Sequence, residues 1–144
     1  MYDVNTERID QVLQHMQRSI GLLQTLSGRG AEAVLADEVA VAAMERALHL
    51  AIEAVIDVGN LLIDGFIMRD PGSYADIVEI LRDEQVIDDG QARQLTKATE
   101  FRRHLVNEYT HVPVKDMFVL VTEVLDSFRQ FDPAVRAYLE KELF

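Results

Sequence analysis

The chain has 144 residues, 49% of them apolar, with no cysteine, no tryptophan and a formal net charge of −11. That length predicts a single domain over residues 1–144, and the lack of cysteine excludes disulfides, thiolate metal sites and a cysteine nucleophile. So acidic a surface repels nucleic acid at long range, which leaves RNA only a local basic patch to bind.

The first predicted helix runs from about Thr6 to Leu26, with Ile9, Leu13, Met16, Ile20 and Leu23 recurring three and four residues apart along one face. Gly28 and Gly30 end it, because glycine accepts the left-handed backbone that a helix stop needs. A short helical turn and then a long helix follow, the latter over Val39–Met68. Its stripe Val41, Met44, Leu48, Ala51, Val55, Val58 and Leu62 is widened by Ile52, Ile56 and Ile63, as a central helix requires. A polar stripe of Arg46, Glu53, Asp57, Asn60 and Asp64 interrupts it. That stripe is either a solvated face or a polar seam at a cleft or subunit interface.

The loop Met68-Arg69-Asp70-Pro71-Gly72 leads to Ser73, which with Asp76 resembles a capping box. The short helix it opens reaches about Glu84, with Tyr74, Ile77, Val78 and Leu81 as core residues. Asp88 is placed to cap a fourth helix over Gly90–Glu108, on which Leu95, Ala98, Arg102, Leu105 and Tyr109 share a stripe. Arg102 is thus a cation at an inward position, and a guanidinium is costly to bury unpaired. Pro113 opens a fifth helix with Val114, Met117, Val121, Leu125 and Phe128 inward, and Pro133 either kinks it or starts a sixth. No segment reads as a strand, so the expected fold is all-α, an antiparallel four- to five-helix bundle.

The sequence opens without the basic and apolar runs of a signal peptide. Its most apolar stretch carries too many charges to cross a bilayer. A soluble cytoplasmic protein, with no membrane contact, is the expectation.

The run Phe101-Arg102-Arg103-His104-Leu105-Val106-Asn107-Glu108-Tyr109 resembles the signature of the HEPN superfamily, and in particular its HepT-like branch of small bacterial proteins. The signature is an arginine, four or more residues, a histidine, one residue and a tyrosine. Glu45-Arg46, Glu53 and Asp57 on the long helix, and the break Val86-Ile87-Asp88-Asp89, agree with that branch. Arg102 and Tyr109 match the signature; Asn107 stands where it has histidine.

The resemblance implies a HEPN-like bundle, a homodimer and metal-independent cleavage of RNA by a toxin paired with a small nucleotidyltransferase antitoxin. In that scheme the ribose 2′-hydroxyl attacks the adjacent phosphorus, the histidine moves protons and the arginine stabilises the phosphoryl oxygens. Arg102, Asn107 and Tyr109 are then the site, and Tyr109 is the residue on which the partner would place AMP. Asparagine cannot be a general base, and loss of such a group costs about 10²–10⁴ in rate. His104, four residues before Glu108 and seven before His111 on one helix face, is a candidate substitute; the plainer reading makes both histidines surface residues.

Arg93, Lys97, Arg102 and Arg103, with only Glu100 as an acidic neighbour, form the candidate RNA-binding patch, or else an ordinary solvated face. No cofactor is expected. Glu108-x-x-His111 is the sole Glu-x-x-His unit, where a carboxylate-bridged metal bundle needs a pair. Gly28-Arg29-Gly30 lacks the spacing of a phosphate-binding loop. The competing function is a HEPN-type binding protein that keeps the scaffold without catalysis.

Overall fold

The computed structural model describes residues 2–144, which form six α-helices, one 3-10 turn and no strand. These are α1 (Thr6–Gly28), α2 (Ala31–Leu35), α3 (Glu38–Gly65), α4 (Tyr74–Asp83), α5 (Asp89–Val106), the turn Tyr109–His111, and α6 (Val114–Leu143). The all-α bundle read from the sequence is therefore present, and the short helical turn expected before the long helix is α2.

Each start has a local cause. Asn5 accepts the Arg8 amide at 3.1 Å, and Asp37 accepts those of Val39 and Ala40 at 3.0 and 3.3 Å. Asp88 and Gln91 form a reciprocal capping box at the head of α5, at 2.8 and 3.1 Å. Such caps satisfy amides that have no partner within the helix. The Ser73 box is only half formed: Ser73 accepts the Asp76 amide at 3.0 Å, but the Asp76 carboxylate turns away to Arg69 and Gly72.

Several boundaries differ from the pattern reading. Helix α3 stops at Gly65, three residues early, because Ile67 takes a left-handed φ of 55° and the Met68 amide returns to the Ile63 carbonyl at 2.9 Å. After α1 it is Gly30, not Gly28, that supplies the positive φ, at 87°. Of the two alternatives at Pro133, the start of a new helix is the one that fails, since α6 runs through it. Tyr74, expected in the core, is 46% exposed.

Helix α3 touches all five other helices, which makes it the central one. Its neighbours run antiparallel to it. Arg8 faces Asp57 and Leu22 faces Ala43 across the α1–α3 groove, while on the other side Arg102 meets Glu53 and Tyr109 lies near Glu45. The expected core residues Ile9, Leu13, Met16, Met44, Leu48, Leu62, Val121 and Phe128 are buried in one cluster. Arg136 of α6 joins Asp10 of α1 at 2.8 Å and Asp132 at 2.6 Å, closing the outer edge.

The α3–α4 contact is close enough to demand glycine. A Cβ on Gly59 would overlap Ile77 Cγ2 and lie in ordinary contact with Leu81 at 3.6 Å, whereas one on the exposed Gly21 would meet nothing within 4 Å. Gly59→Ala should therefore destabilise the protein by about 1–3 kcal/mol. Gly21→Ala, in an exposed helix interior, should stabilise it by about 0.5–1 kcal/mol. Urea midpoints of the two variants, moving in opposite directions, check this.

Candidate functional site

The site is built from the polar side of α3 and the end of α5. Arg102 Nε donates to Glu53 Oε1 at 2.5 Å, and its guanidinium carbon lies 4.6 Å from the centre of the Tyr74 ring, a cation–π contact. Its side chain is 21% exposed and that of Glu53 28%. A cation at an inward position has thus found a carboxylate and an aromatic face. The hydrogen bond it donates to Glu53 raises the Arg102 pKa, burial opposing, so the guanidinium stays charged.

Glu53 Oε1 also lies 3.4 Å from His49 Nε2, one helical turn earlier. Asp57, one turn later, has its carboxyl held above its ordinary range by partial burial first and by the Glu53 charge second, with Arg8 and Arg102 opposing. His49, Glu53 and Asp57 thus form a titratable ladder along α3, with Arg102 on one side.

Beyond His49 the ladder opens into a groove of about 210 Å³ whose lining includes Glu45, Arg46, His49, Leu105 and Tyr109. The end of α5 shapes it. The amides of Asn107 and Glu108 both donate to the Arg103 carbonyl at 2.9 Å, and Tyr109–His111 continue as a 3-10 turn. Val112 is extended ahead of Pro113, as the residue before a proline must be. The expected helix to Glu108 is thus two residues shorter, and Tyr109 projects from a turn with 69% of its surface exposed.

The predicted residues fall into separate places. Arg102 and Tyr109 flank the α3 ladder at neighbouring positions. Asn107 is exposed at the α5 cap. His104 packs its ring on Phe101, centroids 4.9 Å apart, and pairs with Glu108 at 2.9 Å, away from Glu53.

Arg103 is exposed. Arg93 and Lys97 line a different groove, with Glu79, Arg82 and Asp89, and Lys97 lies 3.6 Å from Glu123. Nine residues along a helix turn roughly 180°, so Arg93 and Arg102 point to opposite sides. The structure therefore does not gather the four cations into one patch.

His49 and Tyr74 escaped the pattern reading. His49 had a signal, its spacing of four from Glu53 on the polar side of the long helix; Tyr74 had none, because its ring is placed by the preceding loop. Among the described residues no three His, Asp or Glu side chains converge as a metal site needs. No helix among them is long and apolar enough to cross a membrane.

A family model described as "Ribonuclease HepT-like" matches residues 16–135. The chain belongs to the HepT-like family. It is 34% identical over 143 residues to Putative RNase YutE of Bacillus subtilis (strain 168), covering 99% of this chain and 95% of that protein. The solved structure of YutE superposes with a TM-score of 0.89 at 34% identity, over 99% of this chain and 96% of that one. A tri-AMPylated Shewanella oneidensis HEPN toxin in complex with its MNT antitoxin shares the fold, with a TM-score of 0.79 at 22% identity over 90% of this chain and 96% of that one.

In this HepT-like chain the loop before α4 positions Tyr74 beneath Arg102. Arg69 grips both Asp76 oxygens at 2.8 Å, and the Gly72 amide donates to the same carboxylate at 2.8 Å. The Arg69 hydrogen bonds chiefly, and Gly72 next, hold the Asp76 pKa at about 2 against an ordinary 3.8. A depressed carboxylate stabilises the fold above its unfolded value and loses that contribution as pH falls through its folded one. Asp76→Asn should therefore be less stable than wild type at neutral pH and show a shallower loss of stability between pH 3.8 and about 2. Urea unfolding across that range measures it.

Proposed function

We propose that this HepT-like chain is an endoribonuclease, the toxin half of a toxin–antitoxin pair, acting in the cytoplasm as a homodimer. The relatives' names and the fold support the family role, and the YutE structure is described as that of a cytosolic protein. The carrying observation is Arg102, held charged and mostly shielded at the α3–α5 seam, next to the groove where Tyr109 is exposed.

In the proposed reaction the ribose 2′-oxygen bonds to phosphorus, the 5′-oxygen leaves with a proton, and a 2′,3′-cyclic phosphate remains. Arg102 stabilises the charge on the phosphoryl oxygens. Asn107 can orient a phosphate but moves no proton. The imidazole in the groove is His49, whose orientation is set by Glu53, and proton transfer falls to it. Cleavage is slow, because Glu53 competes with the substrate for Arg102. The Arg102–Glu53 pair and the exposed Asn107 also favour a second reading, a HEPN-type protein that binds without cleaving.

Purified wild type should cleave single-stranded RNA slowly. Arg102→Ala should lose about 10²–10³ of that rate, His49→Ala about 10²–10⁴, and Asn107→His should gain within the same span. Gel assays with a metal chelator present read all four proteins. Wild type inert and Asn107→His active identifies a silenced nuclease; all four inert leaves the binding reading.

The exposed Tyr109 hydroxyl, in the groove that Arg46 and His49 also line, suits modification by a nucleotidyltransferase partner. Its oxygen would attack the α-phosphorus of ATP, pyrophosphate leaving and the phenol proton going to solvent. Co-expression with a neighbouring nucleotidyltransferase should add adenylyl mass to wild type and none at position 109 in Tyr109→Phe, read by peptide mass spectrometry. An unmodified Tyr109 removes that partner from the proposal.

A further inference from the structure

Arg102 offers a phosphate less than a whole cation. Glu53 accepts its Nε proton, and only the two Nη groups donate to no described residue. The chain around it has a formal net charge of −11, and Arg93 and Lys97 line a different groove. Contacts to phosphate alone would therefore hold RNA weakly, and more weakly still as salt rises. Firm hold on a single strand must come from groups that need no charge.

Tyr74 is such a group. The Arg102 guanidinium covers its ring at 4.6 Å, yet 46% of the residue stays in solvent. Of the exposed aromatic side chains among the described residues, Tyr2, Tyr74, Tyr109 and Phe144, it is the one in contact with Arg102. Its backbone is fixed on both sides. The Gly72 amide and both ends of the Arg69 fork hold the Asp76 carboxylate, and Ser73 accepts the Asp76 amide. A tyrosine has only two side-chain torsions, so a ring on so fixed a backbone loses little freedom when something packs on it. An open aromatic ring beside a cation is the arrangement on which single-stranded nucleic acids lay their bases.

We propose that Tyr74 is the base platform of the site: the nucleobase next to the phosphate held by Arg102 stacks on its exposed ring. The inference rests on single-stranded RNA as the ligand of the proposed function and adds to it a contact with a base. Every base has a π face, so stacking reads no fixed sequence and favours only the bases that stack most strongly.

Two 2′-O-methylated strands of equal length test it on the full chain, an oligo(A) and an abasic sugar–phosphate oligomer. Neither can be cleaved by attack of a 2′-oxygen, so binding is read apart from catalysis. By fluorescence anisotropy of end-labelled strands, wild type should bind oligo(A) about 5- to 150-fold more tightly than the abasic oligomer. Salt should leave that ratio unchanged, since stacking releases no counterion. Tyr74→Phe should keep the ratio and Tyr74→Leu should lose it, with circular dichroism showing both folded. Tyr74→Trp gives a direct view, because the chain has no tryptophan of its own: unlabelled oligo(A) should quench its fluorescence and the abasic oligomer should not. If Tyr74→Leu does not fold, that quenching decides alone.

Equal affinity of wild type for the two strands, binding of neither, or no quenching in Tyr74→Trp would overturn the assignment. So would a loss in Tyr74→Leu that is equal for both strands, since Tyr74 would then be only a prop for Arg102. A protein that cleaves RNA and shows no stacking keeps the nuclease and loses the platform. One that stacks oligo(A) and cleaves nothing keeps the platform and leaves only the binding reading.

Discussion

The site depends on one contact, the guanidinium of Arg102 held between the Glu53 carboxylate on α3 and the Tyr74 ring at the start of α4. It joins three helices from distant parts of the sequence, and it keeps a cation shielded where an unpaired one would be expelled to water. The same contact limits what the cation can do. A phosphate approaching Arg102 must outcompete a carboxylate already bound at 2.5 Å, so affinity for anions is governed by whatever else engages Glu53. Within the chain that is His49, whose Nε2 lies 3.4 Å from the same carboxylate oxygen.

Helix α3 carries the other half of the arrangement. Its buried side, from Met44 to Ile63, organises the core. Its exposed side carries Arg46, His49, Glu53 and Asp57. A helix that serves both the core and the site has little freedom to change: most substitutions alter packing or the ladder, and some alter both.

Much of this was legible in the sequence because it rests on periodicity. The stripes on α1, α3 and α6 are the buried faces observed, and Asp88 caps α5 as its position suggests. Arg102 stood out as a cation in an apolar row, and it is shielded. What escaped detection depends on tertiary placement or on local backbone. Nothing near Ile67 announces a left-handed residue, since a β-branched side chain disfavours it. Tyr74 follows helical spacing yet is turned outward, because the clamp of Arg69 on Asp76 sets how α4 begins. Arg93 and Lys97 are near Arg102 in sequence and on the opposite side of the same helix, a separation that the periodicity itself contained.

The early stop of α5 also places an electric field. Peptide dipoles along the helix leave partial negative charge at its last carbonyls, and those of His104, Leu105 and Val106 end beside Asn107. Arg103, a basic residue of that last turn, carries a positive charge that offsets this field, so an uncharged asparagine can stand at the cap because the charge needed there is supplied one turn earlier.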